Sequence, residues 1–207
     1  LSYNILEGFE NDSTKKANFV NWVKPIQPDI VAFQETNKFT QHSLERFAKE
    51  YDHPYAILAK ETGYPVALTS KYPIVNVQRV LDNMWHGYIY ATILDYHVFV
   101  LHLSPHVQEK RNYEIAQIIA HAKSLPKGAK IIMSGDFNAF SGLDQSVYTE
   151  QVVNQMKRQE AERPNLKNLK NGQIDYGVLD QLYSASFIDV FNYKVGKFKS
   201  SFPTEKY

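Results

Sequence analysis

The sequence contains no cysteine among its 207 residues. Disulfide bonds, thiolate metal sites and a cysteine nucleophile are therefore excluded. No apolar run reaches the roughly 18 residues that a membrane-spanning helix needs, and no signal-peptide pattern opens the chain. We expect a soluble protein whose compartment the sequence leaves open. An extracytoplasmic location follows only if an N-terminal leader has been removed.

The chain also carries little net charge. Lys and Arg total 23 and Asp and Glu total 22, which gives a formal net charge of +1 at pH 7. Proteins that bind nucleic acid through a strong electrostatic field normally carry a basic face, so this class is disfavoured. A nuclease with local basic residues stays compatible. The 14 Tyr and 12 Phe favour a sheet-rich fold, because aromatic side chains pack well on pleated surfaces.

Helix-like and strand-like segments alternate along the chain. The continuous apolar runs 30–33 and 130–134 are typical of strands buried on both faces. Segments 88–94 and 96–103, separated only by Asp95, predict a hairpin. Further strands are predicted at 55–58, 66–69 and 74–81, a loop at 163–173, and helices beginning near Ser13 and Thr40 and over 107–123, 145–162 and 179–185. This order predicts two packed sheets with helices outside them.

Polar side chains follow the ends of several predicted strands. They are Asn4, Glu35, His102, Asp136 and Asn138. In alternating α/β architectures ligands collect at the carboxyl ends of strands, so a carboxylate after an apolar run favours a functional role. Each residue alone also has a structural interpretation, a helix cap or turn for the acids and amides and a hydrogen-bonded core residue for the histidine.

The segment Gly-Asp-Phe-Asn at 135–138 gives the sharpest of these signals. An Asp and an Asn two residues apart can hold a water molecule, one accepting its proton and the other fixing its orientation. A simple Asx-turn is the structural alternative. His102 can donate to a phosphate oxygen, and His106 competes for that role. The carbonyl of Asn4 can orient a metal-binding glutamate.

Taken in chain order, these residues lie in segments that resemble the endonuclease/exonuclease/phosphatase superfamily. The segments are 2–5, 29–35, 65–74, 100–103 and 134–139. The superfamily includes pancreatic-type deoxyribonucleases, abasic-site endonucleases, neutral sphingomyelinases and inositol polyphosphate phosphatases. The resemblance covers nearly the whole chain and implies one α/β (α+β) domain over 1–207, a four-layer α/β/β/α sandwich of two packed mixed sheets.

The resemblance also implies a chemistry, the metal-dependent hydrolysis of a phosphodiester or phosphomonoester. Mg²⁺ or Mn²⁺ is the implied cofactor, with Glu35 as principal ligand and Asn4 beside it. Asp136 and Asn138 would orient and deprotonate the attacking water, and His102 would donate to the phosphate. Oxygen ligands and an incompletely caged ion are what Mg²⁺ prefers. The implied substrates are a nucleic acid, a phospholipid head group or a sugar phosphate, and we expect a monomer.

The sequence departs from the superfamily pattern near its end. A late Arg-Ile-Asp-Tyr-Ile strand and a terminal Ser-Asp-His do not occur. Segments 187–191 and 201–204 resemble the chain that precedes them, whereas the Asp-Tyr at 175–176 imitates the strand too early. We therefore expect a domain that is truncated at both ends and lacks its last strands. The alternative function is a catalytically inactive member that binds a phosphate ligand.

Overall fold

The computed structural model describes residues 1–200 and forms two compact units. The first unit contains 1–104 and 120–138, and the second contains 105–119 and the chain from 139 onward. No helix within residues 1–200 is long and apolar enough to cross a bilayer. The single domain and the monomer stay predictions, and segment 201–204 lies outside the described residues.

The first unit contains two four-stranded mixed sheets. One has the order β1-β2-β4-β3, built from β1 (Ser2–Asn4), β2 (Ile30–Gln34), β3 (Tyr55–Leu58) and β4 (Ala67–Ser70). The other has the order β5-β6-β7-β8, built from β5 (Ile74–Val80), β6 (Tyr88–Ile93), β7 (Tyr96–His102) and β8 (Lys130–Asp136). The pairs β1-β2 and β7-β8 are parallel, and the other pairs are antiparallel.

Apolar side chains from the facing sheets form the core between them. Its members include Ala32, Val66 and Leu68 from the first sheet and Ile89, Ala91, Val98 and Val100 from the second. On the outer face of the first sheet, α2 (Ser13–Val23) and α3 (Gln41–Lys49) bury Phe19 and Phe47 against Phe33. His121, near the end of α4 (Gln108–Lys123), packs on Phe99 of the second sheet. The predicted four-layer arrangement is confirmed.

The two outer helices of the first sheet begin at side-chain caps. The Asp12 carboxylate accepts from the backbone of Thr14 and Lys15, one residue before the predicted start of the helix. Thr40 and Ser43 form a reciprocal capping box at the start of α3. Each such cap stabilises its helix by about 1 kcal/mol. Burial of a core side chain such as Phe33 contributes roughly 2 kcal/mol more, which holds the helices on the sheet.

One predicted strand differs in its burial from what the structure shows. The strand predicted at 130–134 is present, but its burial on both faces was wrong: within residues 1–200, β8 pairs only with β7, and Ile132 is 37% exposed. An apolar run predicts a strand, but the burial of that strand also depends on which strands lie on either side of it. The opening strand ends at Asn4, and the chain enters a tight turn that includes α1 (Leu6–Phe9).

The second unit contains a 3-10 helix (Gly142–Val147), α5 (Glu150–Glu162), β9 (Leu169–Lys170), β10 (Gln173–Ile174), α6 (Gly177–Ser184) and α7 (Val190–Val195). The single helix predicted over 145–162 is interrupted because Thr149 adopts an extended conformation. The predicted loop 163–173 holds the β9-β10 pair. Asp175, which imitates the family's late strand, instead accepts a hydrogen bond of 2.6 Å from Asn112 and ties β10 to α4.

Candidate active site

The five candidate residues lie at one end of the two sheets in the first unit. Asn4 ends β1 and is level with Gln34, so Glu35 follows directly on the neighbouring parallel strand. His102 and Asp136 end the parallel strands β7 and β8 and are level with each other. Parallel pairing therefore brings together the strand ends that the sequence marked with polar residues.

The amide of Asn4 joins the two sheets. Its Nδ2 donates to Glu35 Oε1 at 3.0 Å and to Asp136 Oδ2 at 3.2 Å. Its Oδ1 accepts from the backbone nitrogen of Leu6 at 3.0 Å, which fixes the orientation of the amide. Two carboxylates from different sheets thus converge on one donor. With its oxygen turned to Leu6, Asn4 orients the carboxylates, and its place as a metal ligand stays a prediction.

The turn after Asn4 wraps around Glu35. The backbone nitrogen of Glu7 donates to Glu35 Oε2 at 3.1 Å, and that of Gly8 donates to the Glu35 carbonyl at 2.7 Å. Positive φ angles run through the whole turn and recur at Glu35: Leu6, Glu7, Gly8, Phe9, Glu10, Asn11 and Glu35. Non-glycine residues in this region cost about 1–3 kcal/mol each and cluster at functional sites. The strained turn is stabilised by its hydrogen bonds to Glu35, and these bonds also orient the Glu35 carboxylate.

The segment 135–138 forms the Asx-turn considered as a structural alternative, and it also presents a carboxylate. Asp136 Oδ1 accepts from the Asn138 backbone nitrogen at 2.8 Å, while Asn138 Nδ2 donates to the Leu103 carbonyl at 2.9 Å. A Cβ on Gly135, where φ is 149°, would lie 2.0 Å from the Leu101 carbonyl oxygen, so only glycine lets β8 approach β7 here. The turn holds Oδ1 and leaves Oδ2 facing the site.

His102 lies beside Asp136 in a buried position. Its side chain is 3% exposed, and its Nε2 is 4.0 Å from Asp136 Oδ2. Burial lowers the pKa of His102 below its ordinary value, and the negative charges of Asp136 and Glu35 oppose that shift. Its Nδ1 has no hydrogen-bond partner among residues 1–200. A proton on Nε2 suits both observations, because it faces the carboxylate and leaves only an acceptor unpaired.

The structure adds residues that the sequence patterns did not single out. The ring of His86 stacks on His102 with centroids 4.2 Å apart and planes 19° apart. Tyr64 meets His86 edge-on at 5.6 Å, and its hydroxyl donates to Glu7 Oε1 at 3.1 Å, which raises the pKa of Tyr64. His86 stands just before a strand, so a search at strand ends misses it. His106 lies in the second unit.

The donor set fits a divalent cation that is only partly enclosed by protein. Among residues 1–200, no group of three or more His, Asp or Glu side chains is arranged to hold a metal by itself. Mg²⁺ is commonly bound by one or two carboxylates together with water and substrate phosphate oxygens. Glu35 supplies one such carboxylate, and the Asp136 carboxylate lies beside it on the same amide donor. A cation at Glu35 would also reduce the repulsion between the two like charges.

The sequence profile of the Endonuclease/Exonuclease/phosphatase family matches residues 1–152, which include all five candidate residues. The chain belongs to this family. Its members are hydrolytic nucleases and phosphatases, and in general they depend on a metal. No curated protein matches the sequence.

Solved structures share the fold at low sequence identity. An AP endonuclease from Archaeoglobus fulgidus matches with a TM-score of 0.60 and 17% identity over 93% of this chain and 72% of its own. D. rerio TDP2 with a single-strand DNA product gives 0.55 and 14%, over 70% of this chain and 62% of its own. The Neisseria 3′ phosphatase NExo with a product DNA hairpin gives 0.52 and 18%, over 67% and 60%. The chain spans less than two thirds of the last two.

Proposed function

We propose that this protein hydrolyses a phosphodiester or phosphomonoester with Mg²⁺ or Mn²⁺ bound at Glu35. The observation that supports this most is the convergence of the Glu35 and Asp136 carboxylates on Asn4 Nδ2, at 3.0 and 3.2 Å, beside the buried His102. Two acids and a histidine from separate strand ends meet there within one unit. A structural role for each residue alone gives no reason for that meeting.

Glu35 is the principal metal-holding residue of the proposal, with Asn4 beside it. Glu35 Oε1 and Oε2 accept one hydrogen bond each, from Asn4 and from the Glu7 backbone, and each oxygen keeps lone-pair capacity. Those two donors fix the plane of the carboxylate before any ligand arrives. When bound, the cation neutralises phosphate charge and stabilises the leaving oxygen.

Asp136 is the base that takes the proton of the attacking water. Its Oδ1 is held by the Asn138 backbone, so Oδ2 is the oxygen that serves this role. The side chain is 33% exposed, which gives water access to it. Asn138 acts by holding the turn on Leu103 and thereby fixing the direction of the carboxylate. A positioned general base contributes about 10²–10⁴-fold in rate.

His102 donates from Nε2 to a phosphate oxygen. Its lowered pKa keeps the ring neutral at neutral pH, so it acts as a hydrogen-bond donor rather than as a fixed positive charge. Donors that are already oriented toward developing charge stabilise the transition state without a cost of reorganisation. Burial of the ring supports this role, because surrounding water competes less for the donor.

A nucleic acid is the first substrate to test. The structural neighbours include an AP endonuclease, a TDP2 complex with single-strand DNA product and a 3′ phosphatase with a DNA hairpin. A net charge of +1 does not favour a long electrostatic footprint, so we expect contact with a short stretch around the scissile phosphate. Phospholipid head groups and sugar phosphates complete the panel.

The proposal is tested by a hydrolysis assay of the purified chain with and without Mg²⁺ or Mn²⁺. The substrates are bis-p-nitrophenyl phosphate, abasic-site DNA, a 3′-phosphorylated oligonucleotide, sphingomyelin and an inositol polyphosphate. We expect turnover of at least one substrate that EDTA abolishes and added metal restores. Turnover that is unchanged by EDTA would contradict the assignment of a metal cofactor. A folded, metal-loaded chain that turns over nothing would overturn the hydrolase and favour the inactive phosphate-binding alternative.

A further inference from the structure

His86 is buried at the end of the loop that joins β5 to β6. Its side chain is 6% exposed, although the loop that carries it lies between two strands of a hairpin. Gly87 has a φ of 95°, and a Cβ at this position would lie 2.6 Å from a Leu81 side-chain carbon and 2.9 Å from the Val80 carbonyl oxygen. The glycine therefore allows the loop to turn tightly next to His86, which is buried within the first unit.

The ring of His102 is held in an unusual way for a histidine with a chemical role. Such a ring is commonly oriented by a hydrogen bond from its second nitrogen to a carboxylate or carbonyl. His102 Nδ1 makes no such bond within residues 1–200. The face of His86 lies nearly parallel to it, 4.2 Å away. The stack therefore contacts the face of the His102 ring, whereas a hydrogen bond to Nδ1 would lie in the ring plane.

His86 is itself in contact with a second aromatic ring. Tyr64 packs edge-on against the ring at 5.6 Å, and its hydroxyl is anchored on Glu7. The backbone of Glu7 in turn donates to Glu35. A continuous series of contacts therefore runs from the Glu35 carboxylate through Tyr64 and His86 to His102. Stacked and edge-to-face ring contacts have preferred orientations. These contacts therefore constrain the plane of the His102 ring as well as the space that it fills.

We propose that His86 is a positioning residue for His102, which uses its flat ring face to set the plane in which His102 Nε2 points toward the phosphate. The proposal rests on the proposed function for its consequence in catalysis. The stack itself is a property of the metal-free and substrate-free protein. A planar ring at position 86 is what the role requires, so an aromatic residue without ring nitrogens should replace His86.

Two variants distinguish the effect of a flat ring at position 86 from the effect of side-chain volume. His86→Phe keeps a planar ring, whereas His86→Leu keeps an apolar side chain without one. We expect His86→Leu to lower kcat by on the order of tenfold with KM little changed, and His86→Phe to stay within about threefold of wild type. His97→Leu is the matched control, because His97 also stacks on a ring, that of Tyr90, but lies at the start of β7.

NMR spectra of the metal-free protein report the stack without any substrate. The ring protons of His102 should be displaced upfield by the ring current of residue 86 in wild type and in His86→Phe. They should return downfield in His86→Leu and stay in place in His97→Leu. Thermal unfolding of each variant confirms that the fold is retained, and the Phe variant tests the idea even where the Leu variant unfolds.

The outcomes distinguish this inference from the proposed function. A wild type that hydrolyses nothing overturns the proposed function, whereas the NMR pattern still reports on the stack. His102 resonances that are unchanged in His86→Leu would overturn the positioning role. A His86→Phe variant as slow as His86→Leu, with a raised KM, would also overturn it, because it would show that the imidazole contacts substrate directly.

Discussion

Two buried histidines in the first unit are held in contrasting ways. His53 is fully buried near the start of β2, where its Nδ1 bonds Thr69 Oγ1 at 2.9 Å and its Nε2 bonds the Pro28 carbonyl at 2.8 Å. His102 is almost as buried at the end of β7, yet its Nδ1 is without a partner in the described chain. Since buried polar atoms are nearly always paired, full pairing fits a structural role for His53, and the unpaired Nδ1 of His102 is consistent with its proposed role.

The charges around the two rings differ as well. Burial lowers the pKa of both, and the positive charge of Lys71 lowers that of His53 further. The charged neighbours of His102 are Asp136 and Glu35, which raise it. A ring surrounded by carboxylates and left partly unpaired is costly to keep for packing alone. The comparison teaches that hydrogen-bond partners and nearby charges, rather than burial, separate His53 from the histidine of the proposed site.

The largest effect is expected at the carboxylate beside His102. Asp136→Asn should lower kcat by about 10²–10⁴-fold, because the variant keeps the Asx-turn and loses the base. KM should change little, since the base acts in the chemical step. Asn138→Ala should behave similarly but more mildly. Asp52→Asn is the control, an exposed acid that pairs with Lys24 at the surface, and an equal loss in that variant would contradict the assignment.

Replacing each histidine by leucine should separate stability from activity. His53→Leu removes the hydrogen bonds to the Pro28 carbonyl and to Thr69, of which Thr69 keeps its bond to the Tyr51 hydroxyl, so the free energy of unfolding should fall by about 2–4 kcal/mol with kcat per folded molecule unchanged. His102→Leu should leave stability within about 1 kcal/mol and lower kcat by about 10²–10³-fold. Chemical denaturation and steady-state kinetics measure both quantities. The same pattern in both variants would remove the distinction.

A smaller effect is expected in the pH dependence of stability. His53 binds its proton less readily in the folded chain than in the unfolded chain, where the ordinary pKa is about 6.5. Stability should therefore fall as pH drops below about 6.5, with this residue contributing at most about 1.4 kcal/mol per pH unit. His53→Gln should flatten the slope of unfolding free energy against pH. The same slope in His53→Gln as in wild type would contradict this contribution.

The sequence predicted much of this comparison and missed the rest for identifiable reasons. Glu35, His102 and Asp136 were singled out because each lies at the end of an apolar strand, and parallel pairing accounts for their proximity. No residue inside the apolar run 130–134 indicates that β8 lies at the edge of its sheet within residues 1–200, because the neighbours of a strand are set by the whole topology. Local sequence patterns predict the helices and strands. The pairing of segments that are distant in the sequence determines how deeply each of them is buried.

The missed features all depend on contacts between residues far apart in the chain. The left-handed turn at 6–11 contains mostly residues that disfavour it, and it persists because Glu35 accepts hydrogen bonds from the turn. His86 precedes its strand, so no strand-end pattern includes it. Its proposed role follows only from the stack on His102, which brings the β5-β6 loop against the end of β7. Spacing along the sequence does not encode either contact.

The most direct test of the account is a titration of the protein with Mn²⁺, monitored by electron paramagnetic resonance. Wild type should show a site whose affinity falls by at least about tenfold in Glu35→Gln, because a neutral amide replaces the charged oxygen ligand. Glu50→Gln, which changes an exposed glutamate, should bind Mn²⁺ like wild type, and all three metal-free proteins should melt at similar temperatures. Equal Mn²⁺ affinity in wild type and Glu35→Gln would contradict the claim that Glu35 holds the cation.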